Sequence, residues 1–151
     1  MKFINVSNHA SSAWSEAQIA AATELVAGGE ILDVAFPNVA PTATTEEVVV
    51  IALRLLDSLD PHGDAVWLVQ GEFTLTTSLV GMVQSRGALV VAACSERVSL
   101  DMGDGKKVVS FRFVQFRGYP KLHGEPCGEP CGEPCGETTR HTAGACSCHG
   151  Y

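Results

Sequence analysis

"VWLVQGEFTLTTSLV", Val66 to Val80, opens as an apolar run suited to a buried strand and closes with helical spacing, with Gly71 and Glu72 in the turn between. A strand passing straight into a helix is half of a βαβ unit, so its neighbours should repeat the alternation. They do. Downstream, Leu75, Leu79, Met82 and Val83 keep helical spacing as far as Gly87, and Ala88 to Ala93 is the next apolar strand. Upstream, Ala65 to Val69 is nearly all apolar, as expected of a strand covered on both faces.

The same grammar runs back to the start. Lys2 to Ser7 is a first strand that opens into Ser7-Asn8-His9. Ser15 followed by Gln18 has the form of a capping box. Ile19, Ala22 and Val26 continue that helix, and Gly28-Gly29 stops it. Glu30 to Phe36 is the second strand, closed by Pro37. Thr44 with Glu47 caps a second helix whose apolar face carries Val48, Ile51, Ala52, Leu55 and Leu59. Val49, Val50, Leu53 and Leu56 leave that helix little polar surface, so it is either enclosed on two sides or pressed against another subunit. The turn Asp60 to Asp64, which holds His62, leads into the third strand.

After Ala93 the rhythm changes. Arg97 to Met102 and Lys106 to Phe116 flank Gly103-Asp104-Gly105, a hairpin signal. Alternation in the second arm puts Val109, Phe111 and Phe113 on one face and Ser110, Arg112, Val114 and Phe116 on the other. Four strands joined by three helices require right-handed parallel crossovers. The expected fold is therefore a three-layer α/β, Rossmann-like parallel sheet with a C-terminal antiparallel hairpin over residues 1–119. Residues 120–151 form a separate low-complexity tail, expected to be extended or disordered.

Composition limits the function. The chain has 151 residues, 46% of them hydrophobic, and a net charge of -7. An acidic domain without a basic stripe does not suit duplex or other long nucleic acid, whose binding depends on many Lys and Arg contacts to phosphates. A small anion held in a local pocket remains compatible with that charge. The first residues lack the apolar core of a secretory signal and no run is long enough to span a bilayer, so a cytoplasmic protein without membrane partners is expected.

In such sheets ligands sit beyond the carboxyl ends of the strands where their order reverses, usually between the first and third. Three strand ends should meet there: Ser7-Asn8-His9, Gln70 to Thr74, and Cys94 to Arg97. Gly71 permits close approach, and the helix starting near Thr74 offers free N–H groups. Gln70 and Thr74 add uncharged hydrogen-bonding groups. His9 can exchange a proton near neutrality, or simply bond the loop backbone. Asn8 can orient a ligand or cap its own loop. Arg97, beside Ser95, can clamp phosphate, or pair with Glu96 or Glu72. Glu72 can move a proton or interact with the helix dipole. Arg112 points into the cleft, across a dimer interface, or to solvent. Trp14 stacks on a base or staples the first helix, the staple being favoured. No G-x-G-x-x-G and no Walker-type loop occurs, so neither a nicotinamide dinucleotide nor a nucleoside triphosphate is favoured, and no cofactor is expected.

"FINVSNHASSAW", "VWLVQGEFTLTTSLV", "ACSERV" and "DGKKVVSFRFVQFRGY" together resemble small CRISPR-associated proteins of type III systems, Rossmann-like relatives of nucleotide-sensing CARF domains that include ring nucleases. The likeness covers Met1 to about Tyr119. It implies a homodimer that binds cyclic oligoadenylate, most often the four-membered ring, across its two-fold axis. The implied chemistry is metal-independent: a 2′-hydroxyl attacks the adjacent phosphorus, leaving a linear product with a 2′,3′-cyclic phosphate and ending the signal. By position, the resemblance supplies Asn8, His9, Gln70, Gly71, Glu72, Thr74, Ser95 and Arg97. The roles assigned to them are a hypothesis: Arg97 and the N–H groups beside Gly71 on phosphate, His9 or Glu72 for proton movement, Asn8 and Gln70 for positioning, with Thr74 and Ser95, and Ser7 and Arg112 from the strand-end and hairpin reading, as further binding residues. A sensor of the same fold that binds the ring without cutting it is the alternative.

The tail departs from that family. GEPCGEPCGEPC and the ending CSCHGY place Cys127, Cys131, Cys135, Cys146, Cys148 and His149 where soft metal ligands could gather. The repeats do not suggest the knuckle or hairpin of a structural zinc site, so a passive tail is preferred and a metal-binding protein acting through it is the third alternative.

Overall fold

The strand at the start of the quoted stretch becomes the third of five in one sheet. A computed structural model of the protein describes residues 1–59, 64–101, 103 and 107–122. The elements in order are β1 (Lys2–Ser7), a 3-10 turn (Ser11–Ala13), α1 (Glu16–Leu25), β2 (Glu30–Ala35), α2 (Thr45–Leu59), β3 (Ala65–Gln70), α3 (Phe73–Ser85), β4 (Leu89–Asp101) and β5 (Lys107–Gly118). The strand order is β2-β1-β3-β4-β5. β1 pairs in parallel with β2 and β3, β3 in parallel with β4, and β4 antiparallel with β5. The chain first steps from β1 to β2 and then crosses back to β3, so the order reverses between β1 and β3. Ser7 is in register with both Ala35 and Gln70, which brings the three carboxyl ends to one rim.

Residue alternation divides the core into two layers, one on each face of the sheet. Ile4, Val6, Trp67, Val69 and Val90 point to the face packed by α2 and α3, against Val48, Ala52, Leu56, Leu75 and Leu79. Phe3, Val66, Leu68 and Val91 point the other way, against Ala22 and Val26 of α1. Each fully buried side chain of this size contributes about 1.5–3 kcal/mol, and β3 supplies buried residues to both layers. The helix starts follow from side-chain capping. Ser15 Oγ accepts the Gln18 N–H at 3.3 Å. The Thr44 and Glu47 box closes in both directions, at 2.7 and 3.3 Å. At the end of α1 the chain turns through Ala27 and Gly28 with positive φ, and a Cβ on Gly29 would lie 1.9 Å from the Met1 carbonyl oxygen.

The hairpin differs from its sequence expectation in two ways. The fourth strand does not stop at Ala93: β4 continues through Ser95 and Arg97 to Asp101, because β5 pairs with it from Val91 onward. The alternation along β5 is also broken. Cys94 pairs with Gln115 and Ser95 with Phe113, so Val114 is an extra residue, a β-bulge. One added residue reverses the facing of all that follows. Phe116 therefore joins Phe113 on the α1 side, with ring centroids 4.9 Å apart, instead of facing away from it.

Among the described residues α2 buries Val48, Ala52 and Leu56, while Val50 and Leu53 are each 42% exposed, so the described part of the chain does not enclose that helix on two sides. Beyond β5, Tyr119 donates its hydroxyl proton to the Val69 carbonyl at 2.9 Å, and the Gln84 side chain bonds Tyr119, Pro120 and Leu122. Among the described residues no helix is long and apolar enough to cross a membrane. The tail cysteines Cys127, Cys131, Cys135, Cys146 and Cys148, with His149, lie outside the described residues, as do His62, Lys106 and most of the hairpin turn.

Candidate functional site

A cleft of about 700 Å³ opens at the carboxyl rim on the α1 side of the sheet. The strand ends Ser7, Gln70 and Gly71 line it, with Asn8 and His9 from the loop after β1. Trp14 and Gln18 form one wall, and Ser95 and Phe111 on the β4–β5 arm form the other. Phe73, the first residue of α3, stands at the mouth. The carboxyl end of β3 and the quoted turn thus border the hollow.

The loop wall is built on a buried amide. Asn5, only 1% exposed, faces the α1 side in mid-strand. Its Nδ2 donates to Asp33 Oδ1 at 2.7 Å and to the His9 carbonyl at 2.8 Å, and its Oδ1 accepts from Ser7 Oγ at 2.7 Å. The His9 N–H donates to Ser7 Oγ at 3.2 Å. The His9 carbonyl is also within reach of Ser7 Oγ at 3.1 Å and accepts from Trp14 Nε1 at 3.2 Å. Asp33 in turn accepts from the Ser11 N–H and from Ser11 Oγ. Desolvation works to raise the Asp33 carboxyl, but the bonds from Asn5 and Ser11 outweigh it and hold the group below its usual value.

Trp14 does not stand free as a stacking platform. Its ring meets Phe3 edge-on at 5.9 Å and Phe116 at 6.0 Å, which fastens the loop wall to the sheet.

The floor and far wall are built differently. Gln70 Oε1 accepts the Ala93 N–H at 3.2 Å, which fixes the amide at the end of β3. Gly71 is required by Phe36, since a Cβ there would lie 2.6 Å from three atoms of that ring. Glu72 is the N-cap of α3. Its carboxylate accepts from the Leu75 and Thr74 N–H groups at 2.9 and 3.1 Å and from Thr74 Oγ1 at 2.8 Å. Those bonds, the Leu75 N–H foremost, lower its pKa. The Thr74 and Leu75 N–H groups at the start of α3 are thus occupied by the chain's own carboxylate, and Thr74 faces Glu72.

Of the expected cations, Arg97 is paired opposite Phe111, and directly opposed residues share a face, so it lies on the cleft side of the arm. It stands two residues beyond Ser95 and does not line the cleft; among the described residues no Lys or Arg does. Arg112 forms an ion pair with Glu96 and is mostly exposed, its side chain retaining 74% of its accessible surface.

The structure thus brings His9, Asn8, Ser7, Gln70, Gly71 and Ser95 to one cleft. It sets Arg97 at the cleft's outer edge and gives Glu72 and Arg112 partners of their own.

Two features are invisible in the local pattern. Asn5 and Asp33 are 28 residues apart and meet only through the β1–β2 register. The single signal was a polar residue inside each apolar strand. Phe73 and Phe111 border the cleft while 86% and 73% exposed, and nothing about an isolated Phe distinguishes a rim position from a core one.

A family model matches residues 1–117, and the chain belongs to that family, the Uncharacterized protein MJ1673 family. No curated protein and no solved structure matches the chain.

Proposed function

We propose that this chain is a cytoplasmic ring nuclease: as a homodimer it binds a cyclic oligoadenylate, most often the four-membered ring, at the cleft and opens it, which ends type III CRISPR signalling. The observation that carries the reading is the pairing, in one cleft at the reversal of strand order, of the His9 imidazole and the Asn8 and Gln70 amides with the exposed rings of Phe73 and Phe111. Base–aromatic stacking contributes about 1–3 kcal/mol per base. Side-chain amides offer both donors and acceptors to a base edge or a phosphate. The sequence resemblance to CARF-related proteins adds the identity of the ligand.

A cleft of about 700 Å³ is the size of a site for one drug-sized molecule. A four-nucleotide ring then extends over the clefts of two copies. Among the described residues neither cleft supplies a Lys or Arg from its lining, so Arg97 at the outer edge of an arm meets the phosphates.

In the proposed reaction a ribose 2′-oxygen attacks the adjacent phosphorus while His9 accepts the hydroxyl proton. The P–O2′ bond forms and the P–O5′ bond breaks. The departing 5′-oxygen takes a proton from the imidazolium or from water, leaving a 5′-hydroxyl and a 2′,3′-cyclic phosphate. Holding the 2′-oxygen in line with the leaving oxygen is the larger task, and in this reading it falls to Asn8, Gln70 and Ser95, which line the cleft.

The second reading, a sensor that binds without cutting, is favoured by one fact: among the described residues that line the cleft, His9 carries the only titratable side chain. Incubation with radiolabelled cyclic tetra-adenylate in the presence of a chelator separates the readings. The expected result is linear product with wild type and a loss of about 10²-fold or more with His9→Ala, the range of a lost general base. Retention of intact ring on the protein establishes the sensor, and no binding removes both.

A further inference from the structure

Asp33 and Asn5 have no chemical task in that reaction, yet they hold the wall on which His9 stands. An amide buried in mid-strand is costly unless its groups are paired, and an apolar residue would serve the core better. Here every polar atom of Asn5 is engaged: Oδ1 by Ser7, and Nδ2 by Asp33 and by the His9 carbonyl. A fully satisfied amide has one orientation. The Asp33 carboxylate grips the loop at two points, through Asn5 at His9 and directly at Ser11, at 2.9 Å to the N–H and 2.7 Å to the hydroxyl. His9, exposed and in the lining of the cleft, is itself the first of these anchors through its carbonyl. No hydrogen bond from another described residue holds the ring itself, so its place depends on the backbone beneath it.

We propose that Asp33, acting through Asn5, is a positioning residue that sets the His9 loop against the cleft. The inference rests on the ring-opening reading for its functional consequence and on the hydrogen bonds alone for its structural one. Asp33→Asn keeps the size of the side chain but removes the charge and turns a donor toward Ser11 or Asn5. Ser11→Ala removes one bond only and leaves the core intact, so it is informative even if Asp33→Asn folds poorly.

The experiment uses the full chain with cyclic tetra-adenylate as probe. It measures kcat, KM and the pH–rate profile, and on the same samples the indole N–H proton resonance of Trp14, assigned with Trp14→Phe. The expected result for Asp33→Asn is a fall in kcat of about 10–100-fold, the scale of a misplaced catalytic group, with KM changed less than about threefold. The pH profile should keep its shape while losing height, because the His9 imidazole is still present. The indole resonance should move, since Trp14 Nε1 donates to the same carbonyl that Asn5 holds. Ser11→Ala should shift both readouts in the same direction by less. Unchanged kcat and an unchanged indole resonance in both folded variants overturn the proposal. If wild type opens no ring, it is the functional reading that fails, and the indole shift alone then decides whether Asp33 sets the loop.

Discussion

The two walls of the cleft are made by opposite means. The loop wall, Ser7 to Trp14, is tied by hydrogen bonds that begin at a side chain 1% exposed and end at a carboxylate on the neighbouring strand. The arm wall, β4 and β5, is held by its own ladder, with the Glu96–Arg112 ion pair between its exposed side chains and Phe111 bare to solvent. Exposed ion pairs of this kind contribute about 0–1 kcal/mol. One wall is thus fixed by buried hydrogen bonds and the other exposes an apolar ring; on the proposed function the first would serve chemistry and the second capture.

The largest break in that comparison is expected where the walls meet. Phe116 touches Phe3, Trp14 and Phe113, with centroids between 4.9 and 6.0 Å. Phe116→Ala should cost about 2 kcal/mol, somewhat less than the roughly 3–5 typical of a fully buried Phe, because the ring is only partly enclosed. Urea unfolding checks the value, and a change under about 0.5 kcal/mol would mean that the walls are independent. Phe111→Ser should leave stability within about 0.5 kcal/mol. On the proposed function it should weaken ring binding about tenfold, corresponding to one lost stacking contact. Equilibrium binding of labelled cyclic tetra-adenylate measures it, and unchanged affinity would move the capture role elsewhere.

The smallest effect is expected in acid. The Asp33 carboxyl titrates lower in the folded chain than in the unfolded one, so its contribution is fully present above the ordinary carboxylate range and is lost as the pH falls through the folded value. Below about pH 4, where an unperturbed Asp takes up its proton, Trp14 fluorescence should change before the sheet unfolds, and Asp33→Asn should flatten that change. Identical acid profiles for the two proteins would show that the carboxylate does not hold the wall.

Much of the frame was legible because it is local. The change of period at Gln70–Phe73, the reciprocal Thr44–Glu47 cap and the Gly28 stop are each visible within a few residues. What escaped depends on partners distant in sequence. Ser95, Glu96 and Arg97 carry little strand signal, and only pairing with β5 keeps them extended. A bulge at Val114 has no local mark and reverses Phe116. At the cleft, His9, Asn8 and Gln70 were legible as strand-end residues. The Asn5–Asp33 contact was not, since it needs the β1–β2 register.

The Gln84 clamp on Tyr119 and Pro120 has a practical consequence. Because β5 runs antiparallel to β4 and the residues after it are held by Gln84 near the end of α3, the described chain finishes on the α3 face of the sheet, whereas the cleft opens on the α1 face. A tether, fluorophore or immobilising surface joined at Leu122 departs from that other face, so the protein can be anchored there without covering the cleft.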